Sequence, residues 1–131
     1  MPVDLEQVRE AVEAVLRTGV RPAKLLDLPA VVGLAAAGSI ASEVATAVDL
    51  AFAAEALFKR ALVRLGDGPF GQAARLLFGV DNESRGLPLK TRRRLAAEEL
   101  GVYPSTFRRL YEDSILLDVA YEVLRLIVDP A

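Results

Sequence analysis

The residues of this chain best equipped for chemistry are the arginines of "RRRLAAEELGVYPSTFRRLYE", residues 92–112. Arg92, Arg93 and Arg94 stand at one end of the stretch and Arg108 and Arg109 toward the other, with Tyr103, Ser105, Thr106 and Tyr111 between or beside them. A guanidinium is always charged and offers a planar fork of donors to phosphate or carboxylate. From Arg85 to Leu110, these five arginines together with Arg85 and Lys90 meet only Glu98 and Glu99, a balance of +5. The whole chain carries −2, so the remainder carries −7. The asymmetry points one face at an anionic partner. Alternatively the basic window pairs with the acidic remainder, within one molecule or across a dimer.

Other chemistries are poorly supplied. The chain has no cysteine, histidine or tryptophan. Disulfides and thiolate nucleophiles are therefore excluded, as are the usual zinc ligands and the serine–histidine and cysteine–histidine engines. Glu98 and Glu99 are adjacent and diverge on a helix, and Asp81 and Glu83 have no base or calcium-loop spacing around them. Gly66, Gly68 and Gly71 of "GDGPFGQAARLLFG" mimic a phosphate loop, but no strand precedes them and no Gly-Lys-Ser/Thr follows. The expectation is a non-enzyme without metal or cofactor.

Prolines and glycines mark the elements that must position these side chains. Gly19, Gly66, Gly79 and Gly101 close apolar-periodic stretches, and Pro22, Pro69, Pro88 and Pro104 open new ones, as helix boundaries favour. The spacing predicts helices over Asp4–Thr18, Pro22–Leu26, Pro29–Ala37, Pro69–Phe78, Leu89–Leu100, Pro104–Tyr111 and Ser114–Val128. Between them, Ile40–Leu65 reads as one long alanine-rich helix or two nearly collinear ones. It is apolar on most sides, so it is a central core helix or a surface for self-association. No segment alternates as a strand does. The fold class is all-α: a single helical domain of six to eight helices. Residues 1–65 serve as a scaffold or dimerisation half, and residues 66–131 carry the basic motif.

The longest uncharged run, Leu28–Ser42, is shorter than the roughly 20 residues a bilayer requires. Asp4, Glu6, Glu10 and Glu13 occupy the place of a basic leader. A cytoplasmic protein without membrane association is expected. The chain stops two residues past Asp129, close behind an apolar helix, as a piece of a longer protein would.

Within residues 92–112, Ala96 and Ala97 are small enough for a close helix crossing and Leu100 closes the first helix. Gly101 suits a tight turn, Val102 plugs the corner, and Phe107 and Leu110 anchor the second helix inward. In type and spacing Ala97, Leu100, Gly101, Val102, Phe107 and Leu110 resemble the helix-turn-helix of bacterial regulators. That resemblance implies a second helix entering the major groove of duplex DNA. Ser105, Thr106, Arg108 and Arg109 would then reach bases or phosphates, and Arg92, Arg93 and Arg94 would contact phosphates. Tyr103 stands where an N-cap Ser, Thr or Asn is usual. It and Tyr111 are candidates for contact with a base or a partner protein.

A wider stretch, Gly66–Leu126, resembles a module that recurs in uncharacterised actinobacterial proteins. That likeness implies an adaptor or regulatory part of a larger signalling or defence protein. Two functions follow as expectations: a nucleic-acid-binding regulator, or a protein-interaction adaptor.

Overall fold

Gln7 N–H donates to the Asp4 carboxylate at 2.9 Å, and Asp4 N–H donates back to Gln7 Oε1 at 3.0 Å. This reciprocal capping box starts α1, Leu5–Thr18, by satisfying amide groups that have no partner within the helix. The computed structural model describes residues 3–38 and 46–129. Among them the segments are α2 (Pro22–Leu25), α3 (Pro29–Gly38), α4 (Ala47–Val63), α5 (Pro69–Leu77), α6 (Leu89–Leu100), α7 (Pro104–Phe107), a π-helical turn (Arg108–Glu112) and α8 (Asp113–Val128). No described residue lies in a strand, and the fold is all-α in one domain.

The core forms where three amphipathic faces meet. Val8, Val12 and Val15 of α1 face Ile115, Val119 and Val123 of α8, with Phe58 and Leu62 of α4 alongside, all fully buried. Each such side chain contributes about 1.5–3 kcal/mol on burial. Ala11, Ala54, Ala61 and Ala120 are equally buried and let the helix axes come close. α5 packs chiefly on α6, which ties the basic segment to the rest. No described helix is long and apolar enough to cross a membrane.

Part of the helix expected over Ile40–Leu65, residues 40–45, lies outside the described residues. The part that follows is two-faced rather than apolar all round in its setting. Ala51, Ala54, Phe58, Ala61 and Leu62 are buried, whereas Val48, Phe52 and Val63 are exposed. Its first turn is fixed by a second capping box, in which Thr46 and Asp49 exchange hydrogen bonds of 3.0 and 3.2 Å. The Asp49 carboxylate accepts from the Thr46 backbone and hydroxyl, which lowers its pKa below the ordinary 3.8.

The glycine-rich turn that mimics a phosphate loop has a packing explanation. A Cβ on Gly71 would stand 2.1 Å from the Gly66 carbonyl oxygen, so only glycine lets α5 pass the end of α4 at this distance. Arg75, one turn further along α5, donates from Nη1 to Leu62 O at 3.1 Å and Gly66 O at 2.9 Å. Those carbonyls belong to the last turn of α4 and the residues just beyond it, where a cation is favoured by the helix dipole.

Candidate functional site

α6 and α7 meet at a tight corner. Gly101 takes the left-handed conformation, φ 69° and ψ 31°. Val102 N–H donates to Ala97 O and Gly101 N–H to Glu98 O, both at 3.0 Å. This pair of bonds is the Schellman closure of a helix C-terminus. Pro104 then occupies the first turn of α7, and Tyr103 gives that helix no side-chain cap. Ala96, Ala97 and Phe107 are fully buried, and Leu100 and Val102 pack half-buried against the same core.

The second helix departs from expectation after Phe107. It does not end at Tyr111 but continues through the π-helical turn into α8. A π turn holds one residue more than an α turn, so the residues after it are rotated relative to an unbroken α-helix. Leu110, expected as an inward anchor, is 56% exposed, and Glu112 is turned inward to 7%. Glu112 meets Arg93 through two bonds, Nε to Oε1 at 2.7 Å and Nη2 to Oε2 at 3.0 Å. Arg93, expected on a phosphate, is thereby held by a side chain of its own molecule. Arg94 remains at the surface and pairs with Glu98 at 3.2 Å, one turn along α6.

Arg92 differs most from its expected role as a phosphate contact. It is 1% exposed. Its guanidinium donates to Leu77 O at 2.6 Å, Leu87 O at 2.9 Å and Arg17 O at 3.1 Å. Arg17 and Leu77 lie in the last turns of α1 and α5, so two negative helix ends converge on one buried cation. The two ends are also joined directly, by Val20 N–H donating to Phe78 O at 2.8 Å. Burial, and secondarily the Arg93 charge, lowers the Arg92 pKa, but an arginine with this set of acceptors remains protonated. Helical spacing carries the signal for these placements. Arg92 and Arg93 precede the buried Ala96 and Ala97 by four residues, whereas Arg94 precedes the exposed Glu98.

What the corner leaves available is smaller than the sequence suggests. Ser105, Arg108 and Arg109 are exposed, as is Tyr103, and Thr106 is half-buried. Tyr111 stacks on Phe107, with ring centroids 6.5 Å apart. Among the described residues no carboxylate lies within ion-pair distance of Arg108 or Arg109. No three described acidic side chains converge where a metal ion could be held.

A second surface had no counterpart in the sequence reading. Between α2 and α4, Arg21, Leu26, Val48, Ala51, Phe52 and Arg85 surround an open cavity of about 370 Å³. Val48 and Phe52 are 52% and 57% exposed. No local pattern could have revealed this cavity, because its two arginines come from segments far apart in the chain. No protein-family model, curated protein or solved structure matches this chain.

Proposed function

We propose that this chain is a non-catalytic protein-interaction module. The observation that carries the reading is the destination of the motif's arginines: Arg92 and Arg93 are spent on the molecule's own carbonyls and carboxylate. The corner between α6 and α7 is thereby a joint locked from within, and its cationic surface shrinks. What stands outward instead includes large apolar side chains, Val48, Phe52 and Val63 on α4, Leu110 in the π-helical turn, and Leu117, Tyr121 and Val128 on α8. Val48 and Phe52 share the wall of one cavity, and contiguous exposed apolar groups mark contact surfaces. The test is selection of binders from a random-peptide display library, run beside titration with random-sequence duplex DNA. The module reading expects enriched peptides and no tight duplex binding. Failure to enrich any peptide overturns it, and duplex binding at low salt in its place supports contact with DNA.

A second reading is supported by the exposure of Ser105, Arg108 and Arg109 at the start of the second helix. In it the corner contacts duplex DNA, with Arg108 and Arg109 reaching bases or phosphates. Affinity would then fall with salt at a slope of about −0.9 per phosphate contact. If both of these arginines sit on phosphates, Arg108→Ala with Arg109→Ala would flatten the slope by about two.

A further inference from the structure

We infer that the cavity between α2 and α4 receives an acidic, apolar segment of another protein: a bulky side chain settles between Leu26 and Phe52, and carboxylates meet Arg21 and Arg85. This rests on the interaction-module reading and names its surface and the chemistry of its partner. The floor is Ala51, 2% exposed, too small to fill the space above it. The walls are apolar side chains that remain exposed, and the volume, about 370 Å³, falls in the range of pockets that take a ligand group. Among the described residues two arginines line it and no carboxylate does. An arginine fork matches a carboxylate in plane and spacing, so the charge of the cavity specifies an anion beside an apolar group.

Both arginines stand on fixed backbone. Arg21 caps α2, its carbonyl accepting from Lys24 N–H at 3.0 Å and Leu25 N–H at 2.9 Å. Arg85 lies in a turn where its N–H donates to Asp81 O at 3.0 Å. The two are neighbours: a Cβ on Gly86 would stand 3.7 Å from Arg21 Nη1. Arg92 ties down the neighbouring backbone, bonding to Arg17 O, four residues before Arg21, and to Leu87 O, two residues after Arg85. With the backbone fixed, only the side-chain rotamers remain to be ordered when a partner arrives.

A second copy of this chain is a poorer occupant. A two-fold contact presents the same patch from both sides, which would bring Arg21 and Arg85 against their own equivalents. A head-to-tail contact with an acidic face of another copy would build rings or open chains rather than a two-fold dimer.

The probe is the most enriched peptide from the display selection, synthesised with a fluorophore, with a counterpart carrying glutamine for each acidic residue. Arg21, Phe52 and Arg85 are exposed, so Arg21→Ala, Arg85→Ala and Phe52→Ala should leave the melting temperature in place. The expected result is an enriched sequence that combines acidic residues with Phe, Leu or Trp. Binding should weaken by about tenfold for each arginine variant and for the glutamine counterpart. Arg21→Glu with Arg85→Glu should reverse the preference toward basic peptides. Enriched peptides without acidic residues, or equal binding by all the variants, would overturn the cavity as the site while leaving the module reading intact. So would a wild-type dimer in sedimentation equilibrium that Phe52→Ala dissolves, since a second copy would then fill the cavity. A selection that enriches nothing would remove the module reading itself.

Discussion

Replacing Arg92 with methionine keeps an unbranched stem of similar reach and removes the guanidinium. Three carbonyls then lose their donor, those of Leu77, Leu87 and Arg17. Hydrogen bonds from a charged donor contribute about 1.5–3 kcal/mol each. The acceptors are not equal. Leu77 is fully buried and its carbonyl cannot turn to water, whereas Arg17 and Leu87 are exposed residues whose carbonyls can be partly rehydrated. Methionine also avoids the cost of burying a charge that has no carboxylate beside it. These opposing effects leave a loss of about 3–5 kcal/mol, which for a chain of this size lowers the melting temperature by roughly 10–20 °C. Arg92→Lys keeps the charge but cannot span three acceptors from one ammonium, and should lose about half as much. Urea unfolding followed by far-ultraviolet circular dichroism measures both variants. A methionine variant within about 0.5 kcal/mol of wild type, the range of ordinary surface substitutions, would refute the argument and return Arg92 to the surface.

The joint makes other claims that can be measured. A double-mutant cycle with Arg93→Ala and Glu112→Ala should give a coupling of about 1–2 kcal/mol, above an exposed pair and below a fully buried one; no coupling would mean that the two bonds contribute nothing to the corner. Phe107→Ala should cost about 3–5 kcal/mol and Leu110→Ala less than about 0.5 kcal/mol, and equal costs would indicate an unbroken α-helix there. Gly71→Ala forces a methyl into the Gly66 carbonyl and should cost more than about 2 kcal/mol, so unchanged thermal unfolding would show α5 standing further from α4. Asp49 has a lowered folded pKa, so its capping contribution is complete above the unfolded-chain value near 3.8 and is lost as pH falls through the lower folded value,. Carboxyl NMR titration checks this, and a midpoint at or above 3.8 would contradict it.

The helix boundaries were legible because proline and glycine act locally. Gly19, Gly66, Gly79 and Gly101 all take positive φ, and Pro22, Pro69 and Pro104 all stand in first turns. The burial of Ala96, Ala97 and Phe107 was legible for the same reason, since it follows from spacing along one chain segment. Charge was not legible in this way. Three consecutive arginines have the same composition whether they face water or the core, and only comparison with the residues four places on separates Arg92 and Arg93 from Arg94. The bond from Arg92 to Arg17 O and the Arg93–Glu112 pair join parts of the chain whose proximity only the packed fold creates. The cavity of Arg21 and Arg85 depends on tertiary structure in the same sense.

The π-helical turn at Arg108–Glu112 has a consequence for how this chain can change. In a regular helix each residue advances the side chains by about 100°, so adding or removing one residue spins everything beyond it onto a different face. Here the surplus residue is absorbed within a single turn, and the corner and the long C-terminal helix each keep their own phase. Loss of one residue from that turn would leave an ordinary α-helix and put the two out of step. Either the inward face of α8 would keep its place and Glu112 would swing away from Arg93, or the pair would hold and Ile115, Val119 and Val123 would be carried off the core. The turn thus works as a vernier between two registers, and a gain or loss of one residue there is the smallest change that could re-aim Arg108 and Arg109 without altering any other part of the sequence.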